Sequence, residues 1–310
     1  MRVAIIGQHQ FGKSVLEAFI NRGDTVAGVF CAPDKAGAAA DPLKTAADES
    51  GTPVFQLASL KSEEAGEILR SLAVDLGVMA YVLQFAPAAF TALPTHGTIQ
   101  YHPSLLPRHR GPSAIQWPII LGETHTGLTV FRPTDGLDEG PVILQKSTPI
   151  GPDDTLGEVY FNRLFPMGVA ALLEAADLVT GGRGAATPQD HSMASYEGWC
   201  RAAEACVYWH NHVDQIYNLI RGCDPSPGAW TRFRGRKLQL FDARKEAART
   251  YSPGAGAVGT IVSIGERGFR VAAHGGHIEI GKVREEGGKK MSAMQFCLQN
   301  DLTVGSLFHV

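Results

Sequence analysis

Gln100-Tyr101-His102-Pro103-Ser104-Leu105-Leu106-Pro107-Arg108-His109-Arg110-Gly111 is the stretch around which the chain is organised. It follows Gly97-Thr98-Ile99, a short run that serves as the end of a strand. In an extended backbone Gln100 and His102, two positions apart, share one face. Pro103 and Pro107 then remove backbone donors, so neither a helix nor a central strand continues through them. Three basic or titratable side chains follow in a row: Arg108, His109 and Arg110. An amide, an imidazole and a basic cluster immobilised at a strand end predict a site rather than core filling.

Upstream of this stretch, short apolar runs alternate with helical spacing. Val3–Ile6, Val26–Phe30, Val54-Phe55 and Val78–Tyr81 read as strands, with helices at Ser14–Phe19 and Ser62–Leu72. That alternation predicts an α/β domain, a parallel-rich Rossmann-like sheet with crossover helices. Downstream, Ser113–Leu121 reads as a helix, Thr126–Phe131 and Val142–Ser147 as paired strands, and Thr155–Val179 as one long amphipathic helix. Composition shifts at Gly181-Gly182-Arg183-Gly184, and Pro188 continues a linker-like segment. From about Tyr251 short alternating runs with Gly turns predict a small β-barrel of the OB-like kind. The expected division is a catalytic domain over 1–183, a linker over 184–204 and a C-terminal barrel domain over 205–310.

At 310 residues, two domains are the natural expectation. With 44% hydrophobic and 19% charged residues and a net charge of −3, the bulk electrostatics attract neither nucleic acid nor an anionic membrane surface. The 5 cysteines form no C-x-x-C pair and leave an odd count, which suits reduced thiols better than a disulfide framework or a zinc site. No apolar run reaches membrane-spanning length, and Met1-Arg2 runs straight into a strand-like segment without a signal-peptide pattern. A soluble cytoplasmic protein is expected.

Gly7-Gln-His-Gln-Phe-Gly12-Lys13-Ser14 matches the G-x-x-x-x-G-K-S phosphate-loop pattern between a strand and a helix. Bulky residues fill the positions where a phosphate cradle needs backbone amides in close approach, so a plain strand-to-helix turn is the reading preferred. Asp135-Gly136-Leu137-Asp138-Glu139-Gly140 is an acidic turn that lacks the ligand spacing and closing glutamate of a calcium loop. His210-Asn-His212 and Cys206 are assigned to a helix over Trp209–Leu219, where i and i+2 diverge, and are discounted as metal ligands. His274-Gly-Gly-His277 reads as a hairpin turn with exposed imidazoles. No metal site is expected.

The Tyr101–Gly111 string resembles the signature of folate-dependent formyltransferases, most nearly that of the hydrolase domain of 10-formyltetrahydrofolate dehydrogenase, and it is also similar to methionyl-tRNA formyltransferase. Gly7-Gln8-x-x-Phe11-Gly12, Pro33-Asp34-Lys35, Ala40-Asp41-Pro42-Leu43 and Ile220-Arg221 with Pro225-x-Pro227-Gly228-Ala229-Trp230 extend the likeness over nearly the whole chain. The resemblance implies a formyl donor, 10-formyltetrahydrofolate, with His102 and Asp138 as catalytic residues and Gln100 beside them. It implies that backbone groups of Leu83, Gln84 and Phe85 line the pterin pocket, and that Leu105 and the Thr134, Asp135, Gly136 and Leu137 turn complete the folate site. Transferases of the family carry asparagine where Gln100 stands, and the dehydrogenase's hydrolase domain an aliphatic residue. The acceptor expected is water. An amine acceptor, such as an amino sugar nucleotide or amino acid, is the alternative, and a folate-binding module without turnover a further one. Only Lys35 and Lys44 are positive between Cys31 and Ala47, which speaks against transfer RNA as the partner.

Overall fold

The computed structural model describes residues 1–248 and 256–309, so the expected change of pattern at Tyr251 lies outside the described residues. In chain order the elements begin β1 Arg2–Gly7, α1 His9–Asn21, β2 Thr25–Cys31, α2 Pro42–Glu49, β3 Val54–Gln56, α3 Glu63–Ser71, β4 Leu76–Ala80, α4 Ala88–Thr91 and β5 Thr98–His102. They continue with α5 Gln116–Ile120, β6 His125–Phe131, β7 Val142–Pro149, α6 Leu156–Val159, a π turn Tyr160–Leu164 and α7 Phe165–Thr180. After a 3-10 turn at His191–Met193 come α8 Val213–Gly222, β8 Ala229–Phe233, β9 Arg236–Ala247, β10 Ile261–Gly265, β11 Gly268–Ala273, β12 Gly276–Glu285, β13 Met291–Ser292 and α9 Ala293–Gln299. The chain divides into two compact units, one of Met1–Gly111, Gly127–Thr148 and Arg163–Tyr196, the other of Pro112–Thr126, Pro149–Asn162 and Glu197–Val310.

The first unit holds a seven-stranded sheet in the order β3-β2-β1-β4-β5-β6-β7. Strands β1 to β5 pair in parallel, and β6 runs antiparallel to β5. In β1, Val3 and Ile5 pack on one face with Leu16, Phe19 and Leu172, while Ala4 and Ile6 pack on the other with Phe30, Leu69 and Phe90. Helices cover both faces, so successive residues of a strand all need apolar side chains, and the run reads as continuous rather than alternating. The strand order reverses at β1 and β4, and the carboxyl ends of these strands open the crevice where α/β sheets bind ligands.

The phosphate-loop pattern is not a loop. Strand β1 ends at Gly7 and α1 begins at His9, so Lys13 sits inside the helix and pairs with Glu17 at 3.6 Å. Gly7 is required by packing, because a Cβ there would lie 2.0 Å from the carbonyl oxygen of Ala80 on β4.

Two helical expectations change. The run Thr155–Val179 is interrupted by the π turn at Tyr160–Leu164 before α7. Pro166 has no N–H for the carbonyl four residues back, and its ring crowds that carbonyl, so the turn before it widens. In the second unit, α8 starts at Val213 rather than Trp209. His212 caps it, its ring accepting from the Asp214 N–H, while the Gln215 side chain accepts from the His212 N–H at 3.3 Å. His210 and His212 therefore precede the helix, and Cys206 is buried in an irregular segment, bridged to Trp230, rather than on a helix.

The second unit's sheet runs β10-β11-β12-β9-β8, with β13 added to β12. Residues near the C-terminus join its two edges: Arg232 on β8 exchanges backbone hydrogen bonds with His309, and Ile261 on β10 donates to Ser306. The antiparallel sheet thus closes on itself around Trp209, Phe233, Phe269, Phe296 and Phe308. The hairpin turn at His274 to Gly276 is as expected with His274 exposed, but His277, expected exposed as well, is half-buried on β12.

Candidate active site

All of the site's side chains described below belong to the first unit. Gln100 and His102 lie on β5, between β4 and β6, with Gln100 opposite Met79 on one side and Phe131 on the other. His102 is the last strand residue and is 6% exposed. Its Nε2 lies 2.8 Å from the His109 carbonyl oxygen. A carbonyl only accepts, so Nε2 carries a proton and the neutral ring keeps its lone pair on Nδ1. That Nδ1 faces Asp138 Oδ2 at 3.7 Å. Ser104 donates from its hydroxyl to the Arg108 carbonyl at 2.7 Å, not to the ring.

Asp138 is buried in the turn between β6 and β7 and takes φ +54, in the left-handed region. Its Oδ2 accepts the Gly111 N–H at 2.9 Å. Aspartate tolerates this backbone better than most residues, yet it still costs on the order of 1 kcal/mol. The stretch after His102 is held from beneath by Thr129 on β6. Its hydroxyl donates to the Ser104 carbonyl at 2.7 Å and accepts the Leu106 N–H at 3.0 Å and Gln145 Nε2 at 2.9 Å, so all three of its hydrogen-bond valences are used.

Gln100 is half-buried, and among the described residues its carboxamide makes no hydrogen bond. Leu83 and Gln84 border the crevice at the ends of β1 and β4, together with Gly7, Gln8 and Cys31. The Gln84 side chain donates to the Leu57 carbonyl at 2.8 Å, which pins the loop. Phe85 is exposed beneath the Lys61 ammonium, 4.7 Å from the ring centre. Leu105 packs on Gly127, where a Cβ would meet it at 2.6 Å. Thr134 and Leu137 are exposed, Gly136 is half-buried, and Asp135 accepts the Ala88 N–H at 2.9 Å, ordering the start of α4. The structure therefore brings His102 and Asp138 together, sets Leu83 and Gln84 on the crevice, and gives Asp135 a role in holding its own loop.

Sequence reasoning missed Gln189 and Ser195, and singled out Arg110 only as part of a basic cluster. Gln189 donates from Nε2 to the Asp138 and Gly140 carbonyls, at 2.9 and 2.7 Å. Arg110, 5% exposed, donates to Gln189 Oε1 at 2.8 Å. Ser195 accepts the His109 N–H at 2.9 Å. Gln189 and Ser195 come from the stretch that reads as a linker, and no local pattern marks them. Among the described residues no group of three or more His, Cys, Asp or Glu is placed to hold a metal ion, and no helix is long and apolar enough to cross a membrane.

Comparison with known proteins places the chain in a family. Residues 1–175 match the family model described as formyl transferase, and residues 200–300 match that of the formyl transferase C-terminal domain. The mitochondrial 10-formyltetrahydrofolate dehydrogenase of Mus musculus is 42% identical over 246 residues, which is 78% of this chain and 26% of that protein. The chain thus spans about a quarter of the length of the dehydrogenases it matches. The methionyl-tRNA formyltransferase of Geotalea uraniireducens is 33% identical over 312 residues, covering 99% of this chain and 97% of that protein. Among solved structures, an N-formyltransferase from Helicobacter canadensis in complex with folinic acid and dTDP-3-aminofucose superposes with a TM-score of 0.68, 16% identity and coverage of 93% of this chain and 99% of that one, a likeness of fold. The resemblance first carried by Tyr101–Gly111 holds along both regions, and the chain belongs to the formyl transferase family.

Proposed function

We propose that the chain removes the formyl group from 10-formyltetrahydrofolate and passes it to water, giving tetrahydrofolate and formate. The observation that carries this reading is the buried His102–Asp138 pair, with Nδ1 and Oδ2 at 3.7 Å and the ring fixed through Nε2. Family membership and the dehydrogenase likeness supply the donor.

In the reaction, an oxygen of Asp138 takes a proton from water as the water oxygen bonds to the formyl carbon. The carbonyl π electrons move to oxygen. The proton passes to His102 Nδ1, the open nitrogen of the ring, and the imidazolium stabilises the developing oxyanion. Gln100, two residues before His102 and with its amide N–H uncommitted, offers a second donor to the same oxygen. The oxyanion then collapses, the bond from carbon to N10 breaks, and N10 leaves with the proton. A buried pair strengthens each of these interactions, because the local dielectric is low.

A primary amine in place of water is the second reading. The observation that favours it is Gln100, whose carboxamide has valences free to bind an acceptor. Transfer RNA is not the acceptor proposed: of the two cations between Cys31 and Ala47, Lys44 is already paired with Asp34 at 2.5 Å, and phosphate recognition needs several.

The test is turnover of 10-formyltetrahydrofolate by purified protein, followed by absorbance, with and without primary amines. Steady formate release without an amine, lost in Asp138→Ala, is the expected result. Consumption only when an amine is supplied makes the chain an N-formyltransferase. Binding of folate without consumption under either condition sinks the catalytic reading and leaves a folate-binding module.

A further inference from the structure

We infer that Gln189, coupled to Arg110, is a positioning residue that holds Asp138 in the left-handed turn from which its carboxylate meets His102. This rests on the proposed reading of His102 and Asp138 as the reacting pair. The carboxamide of Gln189 uses every hydrogen-bond valence it has. Nε2 spans Glu139, giving one hydrogen to the Asp138 carbonyl at 2.9 Å and the other to the Gly140 carbonyl at 2.7 Å. Oε1 accepts from Arg110 Nη2 at 2.8 Å and Nε at 3.3 Å. A cation on the oxygen side of an amide polarises it and strengthens its N–H donors. Arg110 is buried, and its other contacts, Glu139 Oε1 and His191 Nδ1, are both long at 3.4 Å. Gln189 is its best-formed side-chain partner.

Arg110 is also the middle of the three residues from which both reacting side chains hang. The His109 carbonyl accepts from His102 Nε2, and the Gly111 N–H donates to Asp138 Oδ2. Gln189 closes the ring, running from the Arg110 side chain back to the Asp138 backbone. Ser195 fastens the same strap a second time, its hydroxyl accepting the His109 N–H at 2.9 Å and its carbonyl the Arg110 N–H at 3.1 Å. Without the two donors of Gln189, the φ of +54 at Asp138 has less to hold it, and the turn relaxes toward ordinary backbone. The carboxylate then moves farther from an imidazole that already lies 3.7 Å away, just outside hydrogen-bond distance.

Gln189→Glu separates positioning from a merely structural role. Glutamate keeps, and improves, the partner of Arg110, but it offers no donor to the two carbonyls. Hydrogen exchange of the Gly111 amide reads the clamp without any reference to turnover. Exchange in Gln189→Glu about tenfold faster than in the parent chain is expected, with kcat for 10-formyltetrahydrofolate about 10²-fold lower and KM little changed. Unaltered exchange overturns the clamp. Faster exchange with kcat within about twofold of the parent overturns its bearing on Asp138. Faster exchange in a protein whose parent consumes no formylfolate leaves the clamp standing and removes the proposed reaction instead. Should Gln189→Glu fail to fold, Gln189→Met, close in volume and equally without donors, is read by the same two measurements.

Discussion

Replacing Thr129 with valine tests whether the loop after His102 is held by one hydroxyl. Thr129 Oγ1 donates to the Ser104 carbonyl and accepts from Leu106 N–H and Gln145 Nε2. Ser104 and Leu106 are both buried, so water does not replace the lost partner. Gln145 keeps a second acceptor, the Leu106 carbonyl at 2.7 Å, and loses little. Two buried backbone groups are then left unmade, at about 1–3 kcal/mol each, so Thr129→Val is expected to cost about 4 kcal/mol, the middle of that range. Thr129→Ser retains the hydroxyl and removes one methyl group, for about 1 kcal/mol. Urea unfolding followed by far-ultraviolet circular dichroism gives both values, and their difference isolates the hydroxyl. For a unit of this size the valine variant should melt about 8–16 °C lower. If the valine and serine variants agree to within about 1 kcal/mol, the hydroxyl is not what holds the loop, and the account of how His102 is presented fails.

Gln100→Leu should lower kcat about 10²-fold or more with KM for the folate nearly unchanged, as loss of one oxyanion donor does; an unaltered kcat removes Gln100 from the mechanism. Cys31, which borders the crevice, has its thiol pushed up to about 11 by burial, with the charges of Asp41 and Asp34 adding to it. The fold therefore favours the protonated thiol, a preference present below the ordinary thiol range and lost as pH rises toward 11. Peptide mapping should show Cys31 alkylated about 100-fold more slowly at pH 8 in the folded chain than in urea, and equal rates would contradict the burial. Gly7→Ala, which sets a Cβ against the Ala80 carbonyl, should destabilise by about 3 kcal/mol or more, whereas Lys13→Ala should stay within about 0.5 kcal/mol and leave turnover intact. The opposite ranking in denaturation and activity would revive a phosphate loop.

The parallel sheet was legible because burial on both faces forces uninterrupted apolar strands, and Val3–Ile6 and Val26–Phe30 announce themselves as such. Boundaries were lost where local chemistry overrode periodicity. Pro166 was visible, but the apolar spacing runs straight through it and hides the π turn. The start of α8 was set by His212, a residue seldom used as a cap, so the apolar run through Trp209 looked helical. His102 was singled out by a long shared string and Asp138 by the acidic turn 135–140, and the structure sets the two 3.7 Å apart. Gln189 was not legible, because its contacts reach back 51 residues to Asp138 and 79 to Arg110, and a single glutamine after Pro188 has no periodicity to betray it.

Strained backbone gathers at the ends of the first unit's strands. In the first unit, the non-glycine residues with positive φ are His9, Ala73, Tyr81, His109 and Asp138. Four of them follow the carboxyl ends of strands: His9 after β1, Tyr81 after β4, His109 beyond β5 and Asp138 beyond β6. A backbone of this kind costs about 1 kcal/mol or more per residue and persists only when its surroundings impose it. At Asp138 the surroundings are named: Gly111 holds the carboxylate and Gln189 the carbonyl. At His9 the Asp41 carboxylate accepts the backbone N–H at 2.9 Å and also caps α2 through the Leu43 N–H. Glycine would relieve the strain at any of these positions, but at Asp138 it would remove the carboxylate that the proposed reaction sets 3.7 Å from Nδ1 of His102. On the proposed reading the strain follows from placing a carboxylate in a turn that glycine adopts more freely, and stability gained there by substitution is expected to be lost as turnover.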